Sequence, residues 1–438
     1  MKARFQLALG ALALASSTPA FAALSPAERV MIRTVDSEQG RTTAFLERIV
    51  DQNSGTMNFA GVEAVRRMVE PEFQSLGFKT QWIDMKAAGR AGHLVARHAG
   101  AKRGKRLLLI AHLDTVFEAD SPFQRWTPEG KFARGPGAGD DKGGIAVILA
   151  ALRAMQSAGT LKNANITVFL TGDEEDAGNP LTVSRRDLVA EGRRADVALD
   201  FENLSQEDGP SGPVDMGSIA RRSAGSWTVT VTGRSAHSAG VGANNYGAIY
   251  ELARILDAFR RELPEDKLTY NVGLIGGGQT AKLDSDRIRL EATGKTNIIA
   301  ATAVARGDLR AISQDQIDRT RAKMRAIVAQ SLARARGEIS FDEDGYPPMP
   351  PTEANRALLA RLNVVNADMG LPAMGELDPA RRGAGDISFV AADIDGLVGL
   401  GPAGDGSHTA NEKVDVPSIF KQAKRAAILM SRLASERR

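Results

Sequence analysis

The chain has 438 residues, 43% of them hydrophobic and 44 of them glycine, which is enough for two domains with separate cores. Its 56 basic and 53 acidic residues are interspersed, and without a basic run or stripe no nucleic-acid partner is expected. There is no cysteine, so disulfide scaffolds and thiolate chemistry are excluded and any metal must be held by His, Asp and Glu.

The N-terminus carries Lys2 and Arg4, then an apolar run from Phe5 to Ala15 and the small-residue pattern Ala20-Phe21-Ala22, the pattern of a secretory leader. Residues 1–22 are therefore expected to be a signal peptide cleaved before Ala23, giving a periplasmic or secreted product. The apolar run is shorter than the roughly 20 residues that span a bilayer, so no membrane attachment is expected after cleavage. Losing Lys2 and Arg4 makes the mature chain nearly neutral. The arginine pairs Arg185-Arg186, Arg193-Arg194, Arg221-Arg222 and Arg381-Arg382 lie among acids and read as solvated faces.

From Ala44 to Leu76 apolar residues recur at helical spacing, which predicts two amphipathic helices. Short apolar runs bounded by turn residues follow at His93 to Arg97, Arg106 to Ala111, Ile166 to Thr171 and Val197 to Phe201, which read as buried strands. A helix starting near Gly143 falls between the second and third of them. Strand, helix, strand in that order predicts an α/β fold with a mostly parallel sheet. The breaker cluster Gly209-Pro210-Ser211-Gly212-Pro213 reads as a linker. After it come an alternating strand from Trp227 to Thr232, a helix from about Tyr246 to Leu263 and a helix from about Gln314 to Arg336, together an inserted α+β domain. A second breaker cluster, Gly345 to Pro351, closes it, and the α/β pattern resumes with a helix over Glu353 to Met369, a strand over Gly396 to Leu400 and a helix from about Ser418 to Leu433. The expected division is 23–216 plus 343–438 for one domain and 217–342 for the other.

His112-Leu113-Asp114 follows the carboxyl end of an apolar strand, where open α/β sheets place their sites. One imidazole nitrogen can bind a cation while Asp114 orients the ring. Gly135 to Gly139 is a flexible loop delivering Asp140 and Asp141 to a helix start; acids there can be caps, but the glycine density points to close backbone approach. Asp173-Glu174-Glu175 also follows a strand, and three successive acids repel one another unless cations or solvent compensate. Asp200-Phe201-Glu202 adds further carboxylates, of which alternation lets only one face the same way. His408 sits in the polar turn Gly404 to Glu412. Each motif alone is weak; five of them at strand ends point to a divided metal site that could activate water.

In order, spacing and context, these five motifs resemble the M20 family of metallopeptidases, in particular its glutamate carboxypeptidase branch, across essentially the whole mature chain. The resemblance implies a zinc-exopeptidase-like catalytic domain with an inserted lid and dimerisation domain. It implies two zinc ions, with cobalt or manganese as alternatives. Asp140 would bridge them, Asp141 would follow through a cis peptide, His112 and Glu202 would complete one site, and Glu175 and His408 the other. Glu174 would be the general base and Asp114 the support of His112. Ser235-Ala236-His237-Ser238 resembles the lid histidine motif, whose imidazole reaches the partner subunit's active site in a homodimer. Asn297 and Arg310 match substrate-contacting positions of the lid.

One departure concerns the substrate. Where the branch carries an arginine before proline to clamp a terminal carboxylate, this chain has Tyr346-Pro347, and a hydroxyl lacks the bidentate cationic fork. Arg310 or Arg382 would have to supply the charge. The expectation is a metallocarboxypeptidase acting on peptides or N-acyl amino acids; the alternatives are an N-acyl-amino-acid deacylase and a non-catalytic periplasmic metal- or peptide-binding protein.

Overall fold

The computed structural model describes residues 24–100, 103–210 and 212–438; the expected leader lies outside them. The first core is built on a six-stranded sheet ordered Lys79–Asp84, Gly92–His98, Asn165–Thr171, Arg106–His112, Val197–Asp200 and Gly396–Leu397. The last four strands run parallel, and the first two add antiparallel pairings at one edge. Parallel strands are buried on both faces, which is why Leu107 to Ala111 and Val197 to Leu199 are continuous apolar runs. The helix Lys142–Ser157 is buried almost all round, between the sheet and the helices Pro26–Ser37, Gln39–Val50 and Val416–Ser435. Its two opening glycines are required by space. A Cβ at Gly144 would lie 2.1 Å from Asp141 Oδ1, and one at Gly143 2.4 Å from the Ala138 carbonyl.

The second core is antiparallel. Gly225–Gly233 lies between Thr302–Arg310 and Ala335–Phe341, and the helices Ala248–Glu262 and Gln314–Ala329 cover one face around Trp227, Ile255, Phe259 and Met324. Two short segments connect the cores side by side, with Arg221 bridging Met349 and Ala224 bridging Tyr346.

Several expectations need correction. The expected linker falls within a strand pair: Gln206–Gly209 pairs antiparallel with Gly212–Gly217. Glycine and proline punctuate linkers and strand connections alike, and only the strand partner distinguishes them. The helix expected to reach Arg336 stops at Ala329; Arg334 adopts φ 61° and Ala335–Phe341 becomes an edge strand. The strand Gly396 to Leu400 is only two residues long, after which Val398 bonds backward to Ser218. Of the supposedly solvated arginines, Arg185, Arg221 and Arg222 are buried and the Arg382 side chain is 8% exposed, because each satisfies acids or carbonyls of the interior.

Candidate metal centre

Three adjacent parallel strands end on the same side and deliver the chemistry. His112 closes Arg106–His112, Asp173 to Glu175 follow Asn165–Thr171, and Asp200 closes Val197–Asp200. Asp114, fully buried, ties two of these ends together. Its Oδ1 accepts the Glu174 amide and its Oδ2 the Glu175 amide, each at 3.1 Å, while Thr56 donates to Oδ2 at 2.7 Å. Oδ1 also lies 3.3 Å from His112 Nδ1. With Nδ1 so engaged, Nε2 faces Asp140 Oδ1 at 3.2 Å.

Asp140 sits between two imidazoles, with Oδ2 3.4 Å from His408 Nε2. The peptide joining it to Asp141 is cis. The loop is fixed from the far end of the chain: the buried Glu412 accepts the amides of Gly139 and Asp140, each at 3.1 Å. Burial, aided by the charge of Asp140, pushes the Glu412 carboxyl up to about 8. His408 adopts φ 65°, a left-handed conformation that non-glycine residues rarely take outside constrained sites, and reaches Glu175 Oε2 at 3.1 Å.

Ligand atoms of His112, Asp140 and Glu175 lie within 4.8 Å of one another. The neighbourhood concentrates carboxylates at partial or full burial. Burial pushes the Glu174 carboxyl well above the usual carboxylate range and the nearby charge of Glu202 adds to this. Burial also raises Asp141, whose two oxygens have no hydrogen-bond partner. Asp140 and Glu175 together push the His408 imidazole up to about 11; the cluster draws positive charge. Oxygen and imidazole donors converging on one point suit divalent metal ions, so the residues fit the group.

Glu202 has a different set of neighbours. Arg221 Nη1 donates to its Oε1 at 2.6 Å and to Asp200 Oδ2 at 3.1 Å, and Arg382 Nη2 lies 3.4 Å from Oε2. Burial opposes ionisation of Glu202, but the two guanidinium groups hold it below its ordinary value. Alternation thus separates Asp200 from Glu202 less than expected, because one arginine binds both.

Tyr346 occupies the place expected of the carboxylate clamp, yet its hydroxyl donates to the Glu174 carbonyl at 2.6 Å and accepts from Arg185 Nη2 at 3.1 Å. Arg185 in turn binds Asp173 Oδ1 at 2.6 Å and Asp386 Oδ1 at 2.8 Å. This chain of contacts sets the backbone of the Glu174 turn. Arg382 also donates to the Asn203 carbonyl and Ser205 Oγ, so its guanidinium is engaged in the floor of the site. Arg185 and Arg221, expected to be solvated, and Asp386 and Glu412, not singled out from sequence, carry no local signal that separates them from surface residues.

The remaining expected residues lie on the second core. His237 is exposed, its Nδ1 accepting the Ala239 amide, and its backbone bridges Ile298. Asn297 is exposed beside it, its carbonyl accepting the Ser238 amide. Arg310 pairs with Asp308 at 3.0 Å. None of these contacts belongs to the acid cluster of the same chain.

Residues 108–432 match the family described as Peptidase family M20/M25/M40. The chain belongs to this family. Among M20 relatives it is 27% identical over 424 residues to carboxypeptidase G2 of Pseudomonas sp. (strain RS-16), covering 93% of each chain. It is 32% identical over 189 residues to succinyl-diaminopimelate desuccinylase of Rhodospirillum rubrum, covering 39% of this chain and 46% of that one. The fold matches aminopeptidase PepT from Bacillus cereus with TM-score 0.71 at 17% identity, covering 91% and 99% of the two chains. It also matches the Bacillus subtilis YXEP protein, described as a dinuclear metal-binding M20 peptidase, with TM-score 0.65 at 13% identity over 91% and 99%. As an M20 metallopeptidase, the protein is a hydrolase of peptide or related amide bonds, and the mixed α/β architecture is the family's.

Proposed function

We propose that the protein is a di-zinc carboxypeptidase of the periplasm or extracellular space, cleaving peptides or N-acyl amino acids. The observation that supports this reading best is the convergence of His112, Asp140 and Glu175, with His408 against the latter two. In this reading Asp140 would be shared between the cations, with His112 and Glu202 holding one and Glu175 and His408 the other. The bound cations would supply Lewis acidity toward water and the amide carbonyl. Glu174 takes a proton from the attacking water and passes it to the leaving amine. Asp114 and Tyr346 hold the Glu174 backbone in place for that transfer, Asp114 at its amide and Tyr346 at its carbonyl. Imidazole and carboxylate donors favour zinc over manganese in affinity, with cobalt able to substitute. In a homodimer formed through the inserted domain, the exposed His237 and Asn297 of one protomer would face the cluster of the other, and the imidazole would stabilise the developing oxyanion.

A second reading, an N-acyl-amino-acid deacylase, is favoured by one specific observation: the 32% identity over 189 residues to a succinyl-diaminopimelate desuccinylase. Tyr346, whose hydroxyl is committed to Glu174 and Arg185, does not separate the readings, because peptides and N-acyl amino acids both end in a carboxylate. Product analysis by mass spectrometry on a pool of dipeptides and N-acyl amino acids, with and without a chelator, separates the two readings. Chelation is expected to abolish turnover and zinc to restore it; turnover unaffected by chelation would rule out both. Faster release from dipeptides supports the carboxypeptidase, faster release from N-acyl amino acids the deacylase.

A further inference from the structure

Away from the acid cluster, a pocket of about 450 Å³ lies where the second core meets the connecting segments, lined by Ser223 to Ser226, Arg321, Arg325, Ser340 to Glu343 and Gly345 to Pro347. Two guanidinium groups line it, Arg321 half-buried and Arg325 at the exposed edge. Arg321 and Arg325, one turn apart on Gln314–Ala329, both lie 4.9 Å from the Phe341 ring centroid. Among the described residues neither makes a salt bridge, and Arg321 Nε is buried without a hydrogen-bond partner.

Their surroundings do not neutralise them. Asp342 is already held by Arg287 at 2.5 Å and Arg306 at 2.6 Å. Glu343 lies at the exposed rim. Asp318, on the preceding turn of the helix, offsets Arg321 in part, while burial and the neighbouring Arg325 act against its charge. Stacking on an aromatic ring stabilises a guanidinium by about 0.5–2 kcal/mol but supplies no acceptor for its N–H donors. One of these donors, Arg321 Nε, is buried without an acceptor, which is costly. Two arginines one turn apart on a helix, with serine hydroxyls lining the same pocket, are suited to a small oxyanion, which a guanidinium can grip with paired charge-assisted hydrogen bonds.

We propose that this pocket binds a small oxyanion of the phosphate or carboxylate class, held by Arg321 and Arg325 with help from Ser226 and Ser340. The site is separate from the metal cluster. It touches both connecting segments, so a bound anion would bear on the same stretch that carries Tyr346 to the Glu174 carbonyl.

The test is isothermal titration of the zinc-loaded full chain with inorganic phosphate and, separately, with succinate, at ionic strength held constant with chloride. Saturable binding of at least one probe is expected. Arg321→Ala and Arg325→Ala should each weaken it at least tenfold, and the double variant should abolish it. The Arg321→Lys/Arg325→Lys variant, which keeps charge and helix propensity, should retain weakened binding and so guards against misfolding. His112→Ala should leave the affinity within twofold. Failure of both probes to bind the wild type, or unchanged affinity in the double alanine variant, overturns the proposal, as does loss of binding in His112→Ala, which would move the anion to the metal cluster. Preference between phosphate and succinate identifies the source class.

Discussion

The residues of the first core and those of the second are prepared for chemistry in opposite ways. Around the acid cluster, the functional groups are buried or half-buried, the exposed His408 apart, and most are held by a further partner: His112 and the Glu174–Glu175 amides by Asp114, Asp140 by Glu412, Glu202 by Arg221. His237 and Asn297 are exposed, held by local backbone contacts alone. The first set is pre-organised within one chain, as metal sites and general bases require. The second set makes no contact with the acid cluster of its own chain, and in the proposed homodimer it would act on the other protomer. Membership of the cluster's contact network therefore marks the residues whose loss should change the site itself, and isolation from it those whose loss should change activity without changing the fold.

That contrast can be broken from either side. The largest effect is expected from Glu174→Gln, which should lower kcat by about 10³-fold or more while metal content, read by elemental mass spectrometry, stays at the wild-type ratio. Retained activity would remove Glu174 as the base. Next comes His237→Ala, expected to lower kcat about 10²-fold while changing stability by less than about 0.5 kcal/mol, as for other surface substitutions. Mixing it with Glu174→Gln protein should restore part of the activity if the imidazole acts across a dimer, whereas no recovery after subunit exchange argues for action within one chain. A smaller loss, about tenfold in kcat, is expected from Tyr346→Phe, which removes the hydroxyl that steadies the Glu174 carbonyl; an equal loss in metal binding would mean that the tyrosine supports the whole site instead.

The smallest effect on activity, none, is expected from Asp215→Asn, far from the cluster. Burial disfavours this carboxylate, yet Lys421, Gln206 and Arg425 hold it below its ordinary 3.8. Because the folded value lies below the unfolded one, its stabilisation is present above about pH 3.8 and is lost as pH falls through the folded value. The variant should be less stable at pH 7 by about 2–4 kcal/mol, as when one partner of a largely buried pair is removed. Its Tm should also fall less steeply than that of the wild type between pH 5 and pH 3. Parallel Tm curves would deny the ion pair that role.

Much of this arrangement was legible because it is written in local pattern. The buried strands ending at His112, Thr171 and Asp200 are continuous apolar runs, and acids or histidine placed directly after such runs are hard to explain as surface polarity. Pairing is a different matter. The helix expected to run to about Arg336 ends at Ala329, and the strand state of Ala335–Phe341 depends on an edge offered by Gly225–Gly233 more than a hundred residues earlier. Arg185 and Arg186 look alike in sequence; one is buried between Asp173 and Asp386 and the other pairs with Asp187 at the surface. The identity of an arginine's partner is settled by topology, so no spacing rule could separate the two.

The long reach of Glu412 has a consequence for how the protein comes into being. Its contact with Gly139 spans 273 residues, and the His408 contact with Asp140 is almost as remote. A chain still missing its last few dozen residues has neither the carboxylate that fixes the Asp140 loop nor the second imidazole. Contacts of such sequence separation are slow to form. Assembly of the proposed reactive centre would thereby be tied to completion of the chain, and a truncated chain would lack both groups.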